Sequence, residues 1–169
     1  MAFIVETGSV VANANSYTSI AFADDYFDTH LYYSERWAEY TITEKENMLV
    51  AATSYLDSTY DWDGTRTSDT SSLRWPRSGV MGVDDIEIGE NTIPVNLQRA
   101  VCEQAVEMKI SDVLAPSDTL GITELKVDVI EFVFDKNDKK SPTSSRVLIL
   151  LKGLGTTTIG SRVVKVFRS

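Results

Sequence analysis

The residues best suited to chemistry lie in "LRWPRSGV", positions 73–80, where Arg74, Trp75, Pro76 and Arg77 follow one another. An indole between two guanidinium groups could stack on a base and meet flanking phosphates, as in proteins that bind single strands. The same four residues also suit a structural loop motif. Pro76 stiffens the turn and biases Trp75 toward extended backbone. The indole can bury against helices while the arginines pair with nearby carboxylates. The structural reading is preferred on charge. Up to Asp138 the chain carries all 25 acidic residues against nine Lys or Arg, a net of −16, and such a body repels a phosphate backbone.

No catalytic set emerges. The single His30 falls near the expected end of a helix, where a cation complements the dipole, and reads as a cap or packing residue. Cys102 lies inside an expected helix and reads as a small buried filler. One thiol and one histidine allow neither an internal disulfide nor a Cys/His metal site. The paired acids Asp24–Asp25 and Asp84–Asp85 are sequence neighbours, which on a helix point about 100° apart and cannot share a site unaided. "DWDGTRTSD" offers Asp61, Asp63 and Asp69 but lacks the closing bidentate Glu of a calcium loop. "GLGTTTIG" has neither the lysine nor the strand-to-helix setting of a phosphate loop. We expect no enzyme, no metal and no cofactor.

The elements that must position these residues are mostly helical. "FIVET" reads as a first strand. Ser19 can cap a helix over residues 19–30 with Ile20, Ala23, Phe27 and Leu31 on one face. "SERWAEY" is a short helix presenting Trp37. A capping box between Thr43 and Glu46 opens a core helix with Met48, Leu49, Ala52, Tyr55, Leu56 and Tyr60 inward. Periodicity then lapses over residues 61–94, a long irregular excursion holding the Trp-Pro-Arg motif. Pro94 suits the first position of the next helix, whose inner face is Leu97, Val101, Ala105 and Met108. "ELKVDVIEFVFD" reads as a strand or hairpin arm, "DKNDKKSPTSS" as a turn or exposed loop, and "RVLILLKGL" as a short helix, apolar all round and therefore buried in an interface or under the domain. The expected fold is mostly α within the α+β class: a helical, bundle-like body with a small late β element.

The 169-residue chain suffices for one domain with a real core. Nothing at its start has the basic leader and apolar run of a signal peptide, and no stretch approaches a membrane span. A soluble protein in a reducing compartment is expected. Its net charge of −9 is unevenly placed, because residues 139–169 hold seven Lys or Arg and no acid. At the end, Arg162, Lys165 and Arg168 interleave with Val163, Val164, Val166 and Phe167. We divide the chain into a body, residues 1–152, and an extended arm, residues 153–169, able to reach roughly 55 Å. Burying each large apolar side chain is worth roughly 1.5–3 kcal/mol, so the arm suits docking on another subunit's sheet edge or an acidic partner. A plain edge strand on its own domain is the competing reading.

"FIVETG", "ANSYTS", "ADDYF", "ATSYLDSTYDWDG", "LRWPRSGV" and "IPVNLQRAVCEQA" together resemble, in order and spacing, a group of tailed-bacteriophage head–tail connector, or adaptor, proteins. Many relatives carry a DnaT-like single-stranded-DNA-binding label. The resemblance covers nearly the whole chain and is strongest from Met1 to about Ala105. "KVDV" and "GLGTTTIG" depart from the group's glycine-containing pattern in the last third. The resemblance implies a structural virion protein of the neck, assembled in the host cytoplasm. It also implies a homo-oligomeric ring, usually of twelve copies, joining the portal to a tail, stopper or nozzle protein. Genome DNA would pass through without sequence-specific binding. The arm, Arg162 to Arg168, would dock on the portal or a neighbour. The alternative is a single-stranded-DNA-binding protein of replication.

Overall fold

In the computed structural model, residues 2–110 and 143–158 are described in full, and the strand backbones at 124–127 and 130–133 in addition. The chain folds as an α+β body that is mostly helical. Helix α1 (Ile20–Asp28) starts where the Ser19 hydroxyl accepts the Phe22 amide proton, and it buries Ala23 and Phe27 completely. It stops short of Leu31, which is 82% exposed rather than part of the inner face. Helix α2 (Ser34–Glu39) lays Trp37 on Phe27 with ring centroids 4.5 Å apart, and the indole N–H donates to Asp24 at 2.7 Å.

Helix α3 (Ile42–Thr59) does open with a capping box, but between Thr41 and Glu44, two residues earlier than expected. "TITEKE" contains two overlapping Thr-x-x-Glu patterns. Only the backbone decides between them: Thr41 adopts the extended conformation an N-cap needs. Helix α4 (Val95–Ile110) packs along α3 and is buried on most sides, through Leu97, Ala100, Val101, Cys102, Ala105 and Val106. Pro94 is not its first residue. The Pro94 carbonyl accepts the first helical bond, from the Gln98 amide at 3.1 Å, so proline stands at the cap.

Among the described residues, three two-stranded antiparallel ladders accompany the helices. Strand β1 (Tyr60–Trp62) leaves α3 directly. The irregular excursion is pinned where β2 (Thr65–Arg66) pairs with β3 (Arg77–Ser78). Gly64 makes that turn possible: its φ of +69° is left-handed, and any Cβ there would collide with the Ser78 carbonyl. The late hairpin pairs β4 (Glu124–Val127) with β5 (Ile130–Val133), Glu124 opposite Val133 and Val127 opposite Ile130. Helix α5 (Ser145–Leu150) packs on α4 and buries Val147, while Leu148 and Ile149 are exposed, so the domain itself covers only one side of it.

Strand β6 (Gly155–Thr157) pairs with β1, Trp62 opposite Gly155 and Tyr60 opposite Thr157, and the Thr158 amide donates to the Thr59 carbonyl at 2.8 Å. The segment expected to leave the body at residue 153 therefore stays on it through Thr158. The arm residues Arg162, Val163, Val164, Lys165, Val166, Phe167 and Arg168 lie outside the described residues.

The expected first strand is reduced to one parallel bridge, Val5 with Ser16. What organises this end is Glu6, 2% exposed, whose carboxylate accepts amide protons from Gly8 at 2.9 Å, Val10 at 3.1 Å and Val11 at 2.9 Å. The loop it gathers holds Val10 and Asn13 at positive φ, 59° and 58°, a conformation β-branched residues rarely take. Replacing Glu6 with Ala strands three donors, the Gly8 amide buried and the Val10 and Val11 amides partly so. We expect a loss of about 3 kcal/mol in urea unfolding with the slope unchanged.

Candidate nucleic-acid interface

Two of the places where aromatic and cationic side chains lie close together are built very differently. At the Trp-Pro-Arg motif, Trp75 and Pro76 turn inward, while Arg74 is exposed and Arg77 half-buried. Tyr17, itself buried, accepts the amide protons of Arg74 (3.0 Å) and Trp75 (3.1 Å) on its phenol oxygen and donates to Asp57 at 2.6 Å. Asp57 also accepts from the Trp62 indole at 3.2 Å and from the Arg74 amide at 3.1 Å. Trp75 has no exposed surface. Its ring meets Trp62 edge-on at 6.1 Å, Tyr60 stacks on Trp62 at 5.1 Å, and the Trp75–Pro76 peptide is cis.

The arginines do not pair with carboxylates as expected. Arg77 donates to backbone carbonyls: Nε to Asp63 at 2.6 Å, Nη2 to Gly64 at 2.6 Å and Trp62 at 3.1 Å, and Nη1 to Arg74 at 3.2 Å. Arg66 donates to the carbonyls of Ser71 and Leu73. A loop that leaves the ladders strands its carbonyls, and a guanidinium with five donors in a fixed fork is well shaped to collect them. A base cannot stack on Trp75. The open groove alongside, about 510 Å³, is lined by Ser54, Asp57, Ser58, Arg66, Ser72 and Arg74 among others, one carboxylate against two guanidinium groups.

The second place lies where α1, α4 and α5 meet. Glu103 of α4, 2% exposed, accepts from the Tyr26 phenol at 2.7 Å and lies 2.8 Å from His30 Nε2. Nδ1 of the same ring accepts amide protons from Tyr32 (3.3 Å) and Tyr33 (3.2 Å). An acceptor at Nδ1 leaves the proton on Nε2, which therefore donates to Glu103. This one imidazole ties the turn after α1 to the buried carboxylate. Tyr33 stacks on His30 with centroids 5.0 Å apart and donates to Glu107 at 2.9 Å.

That turn pushes Tyr32 into solvent, 67% exposed. Arg146 of α5 reaches it. Its guanidinium lies 4.8 Å from the Tyr32 ring, 5.6 Å from that of Tyr33, and 3.6 Å from Glu103 Oε2. An exposed ring beside a cation anchored from below offers a flat surface to a base and a positive group to a phosphate. Neither Tyr32 nor Arg146 stands out in the sequence. The signal that could have found them is the aromatic run in "HLYYSERW", but nothing local says which ring stays outside.

Cys102 is fully buried, and burial drives its thiol well above the usual range, which suppresses the reactive thiolate. Among the described residues no group of three His, Cys, Asp or Glu could hold a metal ion, and no helix is long and apolar enough to cross a membrane.

Replacing Trp75 with Ala opens a cavity at the centre of the loop, with an expected loss of about 3–5 kcal/mol. Trp75→Phe keeps most of the apolar contact and costs less, as denaturant titration of both variants will show. Alkali will destabilise the protein. Burial raises the Tyr17 phenol well above 10.0 and the Tyr60 phenol to about 12. Each folded value exceeds the unfolded one, so the stabilisation is complete below pH 10 and lost as pH rises through the folded value. For Tyr60 that window is pH 10 to about 12. Each phenol adds a slope of up to about 1.4 kcal/mol per pH unit. Chemical unfolding between pH 8 and pH 12 measures it, and Tyr60→Phe removes one phenol's share.

A family model described as "Putative DnaT-like ssDNA binding protein" matches residues 1–169. No curated protein and no solved structure matches the chain. The match corrects the reading of a virion neck component that joins portal to tail and forms a DNA channel: the family is described by binding to single-stranded DNA, which favours the alternative. Aligned from its first residue to its last, the chain belongs to this DnaT-like family.

Proposed function

We propose that the protein binds single-stranded DNA, with the Tyr32 ring and the Arg146 guanidinium as the stacking surface. The observation that carries this reading is the full-length match to a family described by that activity. Two features of the chain support it. Tyr32 is the exposed member of an otherwise packed aromatic cluster and has a cation over its ring. Arg146 also belongs to residues 139–169, which hold seven Lys or Arg and no acid, a composition that suits a phosphate backbone. The Trp-Pro-Arg motif takes no part, because Trp75 has no surface and Arg77 is held by four carbonyls. The reading invokes no catalysis and no cofactor.

Fluorescence anisotropy with a labelled oligothymidylate tests the assignment. Tyr32→Ala removes one stacked base and is expected to weaken binding by about 1–3 kcal/mol, roughly 5- to 150-fold. Arg146→Ala is expected to flatten the plot of log affinity against log salt by about 0.7. Trp75→Phe leaves the affinity unchanged. A wild-type chain that ignores the oligonucleotide at low salt refutes the function. A Tyr32→Ala variant that binds as wild type refutes the site.

A further inference from the structure

On the face bearing β6, a tight loop presents apolar side chains to solvent. Met81 bridges to Glu87, the Gly82 amide donates to the Ile86 carbonyl at 2.9 Å, and the Ile88 amide donates to Val80 at 2.9 Å. This closure leaves Val83 59% and Ile86 70% exposed, with Met81 and Val95 about half exposed. The loop is held against the end of α5 by a close approach. Gly153 has a φ of +81°, and a Cβ there would come within 3.2 Å of Val83. Between the two runs a groove of about 240 Å³, lined by Val83, Ile88, Pro94, Val95, Lys152 and Leu154 among others.

The charge around this groove is one-sided. Asp84, Asp85, Glu87 and Glu90 are all exposed in the segment that supplies Val83 and Ile88 to its wall, and residues 78–98 contain no Lys or Arg; Lys152 is the charged residue in the lining itself. Residues 162–168 have the opposite make-up, with Val163, Val164, Val166 and Phe167 between Arg162, Lys165 and Arg168. Four apolar side chains match an exposed apolar floor, and three cations match a rim of four acids.

We propose that this acid-rimmed groove receives residues 162–168 of a second copy of the chain, linking copies tail to groove. A second copy is favoured over the chain's own tail by the direction of β6. Leu154 lines the groove, and β6 then runs antiparallel to β1, delivering Thr158 to the Thr59 carbonyl. At about 3.3 Å per residue that path leads some 13 Å away from the groove by Thr158. The contact is head-to-tail in kind, so it extends to further copies unless the geometry closes. On a single strand of DNA it supplies the cooperativity common among such binders, although the contact itself does not depend on DNA.

The test is sedimentation equilibrium of the full chain without DNA, up to about 100 µM, a range that captures a micromolar contact. The wild type is expected to associate. Reversing the rim (Asp84→Lys with Glu87→Lys) or the tail (Arg162→Glu, Lys165→Glu, Arg168→Glu) is expected to weaken association at least about tenfold. An equimolar mixture of the two reversed chains restores it, because each tail then meets an opposite rim. A monomeric wild type, as a tail docked on its own groove would give, overturns the proposal. So does association that neither reversal weakens, which points to another surface. Both outcomes leave the single-stranded-DNA reading untouched, since its assay reads oligonucleotide affinity.

Discussion

The buried junction of Tyr17 and Asp57 is the constraint on which most of this structure depends. One phenol and one carboxylate gather the Arg74 and Trp75 amides and the Trp62 indole at a single point. They thereby join the segment before α1, the last turn of α3, strand β1 and the long loop. Burial holds the Asp57 carboxyl above its ordinary value, although Tyr17, Arg74 and Trp62 all donate to it. A group that strained toward neutrality in isolation is kept useful by its donors. With the junction made, Trp75 can fill the space beside Trp62, and Arg77 can satisfy the carbonyls the loop leaves behind.

The consequence for function is a separation of two aromatic–cation sites that look alike on paper. Around Trp75 the cations face backbone and the ring faces core, and this site gives rigidity. Around Tyr32 the order is inverted: His30 and Glu103 hold the turn from inside, the ring is outside, and Arg146 approaches from α5. A stacking surface has to be exposed and yet pre-positioned, because a freely moving side chain loses conformational entropy when a base lands on it. Anchoring the cation through a nearly buried carboxylate meets both demands. The same economy of charge recurs at the acidic loop of residues 84–90, where exposed apolar residues are framed by a single sign.

Several elements were legible from local pattern. Ser19 as an N-cap, the inward stripes of α3 and α4, the hairpin nature of "ELKVDVIEFVFD" and the inertness of Cys102 all follow from period, capping chemistry and burial preference. The errors are equally local in cause. Two overlapping Thr-x-x-Glu patterns left the start of α3 undecided. The periodicity through Leu31 ignored the turn that His30 imposes. Pro94 lies one residue outside α4, because its carbonyl is needed as the first acceptor. Residues 153–158 look like the root of an arm, and nothing nearby in sequence reveals that their partner is β1, some 95 positions upstream. Of the resemblance, the family match supports the DnaT-like label, while the virion function first attached to it was overturned by that match.

By itself, then, the sequence determined the class of the fold, its core helices, the lack of a recognisable catalytic motif, and the division of charge between an acidic body and a cationic end, because each is set by composition or by neighbours within a few positions. Only the tertiary structure decided which tryptophan disappears into the core, which tyrosine remains in solvent with an arginine above it, and where apolar surface is left uncovered. Those outcomes depend on which distant segments claim each donor, acceptor and face, and one-dimensional order does not contain that competition.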